Sequence, residues 1–135
     1  MSKPVPPVQK YMTTSPVTTE ASATVAAAAK VMKANSIRHL PVVDGGSVVG
    51  LISDRDIALV EGLVGVDPEI VTVRDAMATE PYTTRSDTPI TEVAATMASN
   101  KYGSAVVTQN GKVVGMFTTV DVCRVLAEVF ETRIR

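Results

Sequence analysis

Apolar residues along the chain follow two alternating periods, and the alternation occurs twice. Val25, Ala28, Ala29 and Met32 fall at three- and four-residue spacing, as do Ile90, Val93, Ala94 and Met97, which is the pattern of a helix with one buried face. Behind each helix lie two short β-rich runs around a turn. The first pair is Leu40 to Val43 and Val48 to Ile52 about Asp44-Gly45-Gly46; the second is Ser104 to Thr108 and Val113 to Phe117 about Asn110-Gly111. Asp-Gly and Asn-Gly tolerate the positive φ of tight turns, so both predict β-hairpins. A second helix is predicted after each hairpin, over about 54–63 and 119–131. Ahead of each first helix, the segments around Pro16 to Thr19 and Pro81 to Thr84 read as extended, because proline disfavours helix at the residue before it. Thr88-Pro89 predicts a cap and a first-turn proline. Asn35 and Asn100 stand where a left-handed helix stop is expected.

The order strand, helix, strand, strand, helix therefore appears twice, in constant register. Met12 and Met77, Pro16 and Pro81, Thr18-Thr19 and Thr83-Thr84, Met32 and Met97, Asn35 and Asn100, Val48-Val49-Gly50 and Val113-Val114-Gly115 are identical pairs. Each pair lies 65 positions apart, as Asp121 does from Asp56. Such self-similarity settles the architecture before any single element does. The repeats run over 8–64 and 73–131, with a linker around Gly65 and Pro68.

Composition narrows the function classes. The 135 residues suffice for one domain or two very small units, and a 45% hydrophobic, 20% charged chain supports a core. Thirteen Lys and Arg against fourteen Asp and Glu leave a net charge of −1, with no two basic residues adjacent. Aromatic content is 4% with no Trp. Both the electrostatic footprint and the stacking platforms of a nucleic-acid binder are thus poorly supplied. No apolar run approaches the ~20 residues of a membrane span, and the start MSKPVPPVQK lacks a secretory apolar segment. A cytoplasmic protein with no membrane partner is expected. The single Cys123 and single His39 do not form a zinc ligand set, so no metal site is expected. Cys123, which replaces Ala58 in the register, is read as a small buried hydrophobe. Met12, Met32, Met77 and Met97 are read as core filling.

The openings PVTT and PYTT, the segment IRHLPVVD from Ile37 to Asp44, and the endings GLISDRD (50–56) and GMFTTVD (115–121) resemble cystathionine β-synthase (CBS) domains, which occur in tandem pairs. The likeness covers nearly the whole chain apart from the first seven and last few residues. It implies an α/β (α+β) fold in which two repeats pack sheet to sheet in one compact module. It also implies two related clefts that take adenosine-containing regulatory ligands such as AMP, ADP, ATP or S-adenosylmethionine, with no cofactor required.

The candidate site residues follow from that likeness and from local chemistry. Ser53 and Thr118 stand at the start of each second helix, where free N–H groups and the positive dipole end suit a phosphate. Asp56 and Asp121, three residues on, can accept hydrogen bonds from two ribose hydroxyls. The alternative is that Ser53 and Thr118 only cap their helices, and that the acids answer the helix dipole. By resemblance each cleft takes its acid from one repeat and its leading segment from the other. One cleft would join Asp56 and Ser53 with Tyr82, Thr83 and Thr84. The other would join Asp121, Thr118 and Phe117 with Val17, Thr18, Arg38 and His39. The threonines also suit a strand by propensity alone. Arg38 and His39 have Gly103 and Ser104 as counterparts, so only the Asp121 cleft would gain a cation and an imidazole. Otherwise Arg38 is a solvated strand-edge residue and His39 a partly buried one.

The function expected is a stand-alone regulatory module sensing an adenosine-containing ligand for a partner protein not named by the sequence. Its rivals are a nucleic-acid-binding CBS protein and a structural module that takes no ligand. An enzyme is not expected, because the only His and the only Cys lie on elements the repeat explains otherwise. The apolar positions Val122, Val125, Leu126, Val129 and Phe130 on the last helix exceed what the repeat needs, which points to a homodimer.

Overall fold

The computed structural model describes residues 4–134. A 3-10 turn at Val8–Lys10 leads into β1 (Thr13–Thr14), β2 (Thr19–Glu20), α1 (Val25–Asn35), β3 (His39–Asp44), β4 (Ser47–Ser53) and α2 (Asp54–Glu61). The second half runs α3 (Val73–Ala76), β5 (Thr83–Arg85), α4 (Ile90–Asn100), β6 (Ser104–Gln109), β7 (Lys112–Thr118) and α5 (Thr119–Ile134). The architecture is mixed α and β, with the strand, helix, strand, strand, helix order present in both halves.

Two compact units form. One is Val17–Pro81; the other joins the stretch up to Pro16 to the stretch from Tyr82 onward. The units in space are therefore offset from the repeats in sequence. The leading segment that contains β1 pairs antiparallel with β7, Thr13 opposite Met116 and Thr14 opposite Gly115. Its counterpart 65 positions on does the same in the other unit, where Ala78 bridges Leu51.

In the unit 17–81 the sheet order is β2-β3-β4, with β2 parallel to β3 and β3 antiparallel to β4. Its core holds Val25, Ala28 and Met32 of α1, Leu40, Val42 and Ile52 of the hairpin, and Ile57 and Val60 of α2. The other unit has the order β1-β7-β6-β5. Its core holds Val8, Ile90, Val93, Met97, Ala105, Val107 and Phe117. The second turn places positive φ on Asn110 and Gly111 as expected; in the first the positive φ falls on Gly45 and Gly46, with Asp44 ending β3 rather than entering the turn.

Three local expectations are corrected. The left-handed residue at the end of each first helix is Ser36 (φ 53) or Lys101 (φ 58), one position later than expected. Asn35 and Asn100 stay helical, and their side-chain amides donate back to Val31 O and Thr96 O. Pro89 occupies the N-cap of α4 rather than its first turn, and Thr88 makes no capping bond there; the side-chain cap forms instead at α1, where Thr24 Oγ1 accepts from Ala27 N. Cys123 is exposed, not buried, because it lies on the outer face of α5 and the core-facing positions are Val122 and Val125. Met32 and Met97 are buried as expected.

Candidate ligand-binding site

Each hairpin ends where its second helix begins, and the junction is built alike in both units. The amide of Asp54 donates to Arg38 O at 2.9 Å, and that of Thr119 to Gly103 O at 3.1 Å. These bonds tie the start of the helix to the start of the hairpin's first strand. In β3–β4 His39 stands opposite Ser53; in β6–β7 Ser104 stands opposite Thr118.

Ser53 is the N-cap of α2 in extended conformation. Its Oγ accepts from Asp56 N at 3.2 Å, while Asp56 Oδ2 accepts from Ser53 N at 2.9 Å and Ser53 Oγ at 3.0 Å. This is a reciprocal capping box. Thr118 and Asp121 repeat it: Thr118 N and Oγ1 donate to Asp121 Oδ2 at 2.9 and 3.2 Å, and Asp121 N donates to Thr118 Oγ1 at 3.4 Å. The capping role weighed as an alternative is thus present in both repeats, and it uses one carboxylate oxygen of each acid. The other oxygen differs. In the second repeat Arg124 Nη1 donates to Asp121 Oδ1 at 2.8 Å.

The remaining candidates occupy varied surroundings. Phe117 is 1% exposed within the core, so its ring serves packing. Tyr82 stacks on Tyr102 with ring centroids 5.3 Å apart, and its carbonyl accepts from Val106 N. Thr83 and Thr84 pair with Val106 and Val107 in a parallel ladder, Thr83 exposed and Thr84 half-buried. Val17 is exposed and Thr18 half-buried, just ahead of β2. Arg38 is exposed and, with Asp54, lines a hollow of about 440 Å³ between α1 and α2. Burial holds the His39 imidazole below its ordinary pKa of 6.5; Arg38 adds to the lowering, and the carboxylates of Asp54 and Asp56 oppose it. Sequence reasoning missed Arg124 and Ser104. Both become visible when the repeats are overlaid, where they replace Leu59 and His39.

A duplicated hairpin-to-helix junction with a capped acid in each copy defines the class of protein. The model of the CBS domain matches residues 8–62 and 73–128. The chain belongs to the CBS domain family. It is 32% identical over 136 residues to a CBS domain-containing protein of Dictyostelium discoideum, spanning 92% of this chain and 93% of that protein. It is 31% identical to the L-aspartate semialdehyde sulfurtransferase of Methanocaldococcus jannaschii, covering 92% of this chain and only 24% of that enzyme's length. Among solved structures it is similar to the CBS domain pair of protein MJ0100 in complex with 5′-methylthioadenosine and S-adenosyl-L-methionine. That likeness has a TM-score of 0.83 at 28% identity, over 93% of this chain and 98% of the other. Among the described residues no helix is long and apolar enough to cross a membrane.

Proposed function

We propose that this protein is a regulatory ligand-binding module, not an enzyme, that senses adenosine-containing ligands through the acids Asp56 and Asp121. The observation that carries the reading is the duplicated capping box. In each copy a carboxylate is held at a helix N-terminus with its second oxygen turned away from the cap bonds. A carboxylate so fixed offers strong acceptors for ribose hydroxyls, and the helix end beside it favours a phosphate. The adenosine-containing ligands held by the similar domain pair support that ligand class. Val17, Thr18, Arg38, His39, Tyr82, Thr83 and Thr84 are proposed to line the ligand, with AMP, ADP and ATP as candidates besides S-adenosylmethionine. Arg38 would bind phosphate through its fork of donors.

The protein is further proposed to work in the cytoplasm as a homodimer. Leu126, Val129 and Phe130 of α5 are 43–55% exposed, an apolar stripe that a second copy would cover. The reading is tested by a thermal-shift screen of adenosine, AMP, ADP, ATP and S-adenosylmethionine. A ligand at about 100 times its dissociation constant adds ~2.7 kcal/mol of stability. A melting temperature unmoved by all five would reject it.

A further inference from the structure

The two acids differ in the acceptor capacity they have left. A carboxylate offers about four lone-pair positions, two on each oxygen. Asp56 spends two, both on Oδ2, in bonds from Ser53; among the described residues no donor reaches its Oδ1. Asp121 spends three: two on Oδ2 from Thr118, and one on Oδ1 from Arg124. Asp56 can therefore accept both hydroxyls of a vicinal diol on Oδ1, while Asp121 has about one place free.

What Asp121 lacks in acceptors, its surroundings supply in donors. Its side chain is 6% exposed, whereas that of Arg124 is 66% exposed, with one of its five N–H donors engaged. Ser104, directly opposite Thr118 in the ladder and so on the same face of the sheet, is 4% exposed. Its Oγ is buried without a hydrogen-bond partner. A buried hydroxyl left unpaired is a standing demand for a polar group from outside the protein. At those two positions the first repeat has Leu59 in place of Arg124 and His39 in place of Ser104.

We infer that the second repeat's acid site takes a ribose phosphorylated next to the hydroxyl that Asp121 accepts, that is, a 2′- or 3′-phosphorylated nucleoside, with Arg124 binding the phosphate. The first repeat's Asp56 takes the unmodified diol. An acid selecting the free ribose diol and an arginine selecting the ribose phosphate is the division by which dinucleotide folds separate NAD from NADP. Arg124 is then a specificity-determining residue. The inference rests on the reading that Asp56 and Asp121 accept ribose hydroxyls.

Its test is calorimetry on the full chain with adenosine 2′-, 3′- and 5′-monophosphates. These isomers share composition and nearly share charge, so a preference reports the phosphate's position rather than general attraction. The binding event lost in Asp121→Asn should favour the 2′ or 3′ isomer by about tenfold or more. Arg124→Leu should abolish that preference while leaving the 5′ isomer within about twofold. Leu59→Arg, at an exposed position, should confer the preference on the event that depends on Asp56, which keeps the test decisive if Arg124→Leu fails to fold. Equal binding of the isomers, or a preference that survives Arg124→Leu, overturns the inference and leaves the adenosyl reading standing. Binding of no isomer, and of no adenosine, overturns both.

Discussion

The glycine before the last residues of each hairpin gives a sharp test of how the leading segments lie on the sheets. A methyl group on Gly50 would meet Met77 Sδ and, at 2.7 Å, the carbonyl oxygen of Ala78. That oxygen cannot retreat freely, because it accepts from Leu51 N at 3.0 Å while Ala78 N donates to Leu51 O at 2.9 Å. The three nearest atoms to a methyl on Gly115 all belong to the Met12 side chain, Sδ, Cε (2.8 Å) and Cγ (2.9 Å), and a methionine side chain has three rotatable bonds with which to move. Overpacking costs ~1–3 kcal/mol, and a lost backbone hydrogen bond adds ~0.5–1.5 kcal/mol. Gly50→Ala should therefore cost ~2–4 kcal/mol, and Gly115→Ala ~1–2 kcal/mol, at the low end of the same scale. Urea unfolding of both variants measures this. Double-mutant cycles divide it further: coupling between Met12→Ala and Gly115→Ala should recover most of the Gly115→Ala loss. Coupling between Met77→Ala and Gly50→Ala should recover at most half, since the Ala78 carbonyl remains. Equal losses at the two glycines, or full recovery at Gly50, would refute the geometry.

Three further outcomes are expected. The lowered pKa of His39 means that below pH 6.5 the unfolded chain binds a proton the folded chain resists. Stability is then fully present above that pH and falls as pH drops toward the folded value. Urea midpoints at pH 7.5 and 5.5 should show a smaller fall in His39→Gln than in the wild type, and an unchanged fall would remove His39 as the cause. Arg38→Ala should weaken AMP by about tenfold through loss of a charged hydrogen bond yet leave adenosine nearly unaffected, as read by calorimetry. Replacing the exposed Leu126 and Phe130 together by Ser and Gln should convert a dimer to a monomer in sedimentation, with the melting curve showing a still-folded chain; a wild type that sediments as a monomer would end that proposal.

The fold was legible where a residue's local chemistry matched its long-range role. The hairpins were readable because Gly45, Gly46, Asn110 and Gly111 occupy positive-φ positions, and the helices because their buried residues recur at helical spacing. The 65-residue register located the two acids and their caps at once. Other features depend on what lies across space. Nothing local marks Thr13-Thr14 as a strand, since its partner β7 is more than 90 residues away in sequence. The helix stop fell one residue late because Asn35 and Asn100 bond their own preceding turn rather than adopt the left-handed state. Phe117 stands next to Thr118 in sequence, as a ligand contact would, but its ring is buried in the core with Val8, Val93 and Ala105. Arg124 was open to view at three-residue spacing from Asp121, although its meaning emerges only with Asp121 buried beneath it.

The central claim, that the duplicated capped acids bind adenosine-containing ligands, is tested most directly by calorimetry of the strongest adenosyl ligand on the wild type, Asp56→Asn and Asp121→Asn. Asparagine retains an oxygen that can accept the cap bonds, so the helix starts are preserved, while the charged bonds to ribose are lost. Each substitution should weaken one binding event by roughly 10- to 150-fold, the equivalent of ~1.5–3 kcal/mol. Binding that persists at full strength when both acids are replaced together would contradict the account.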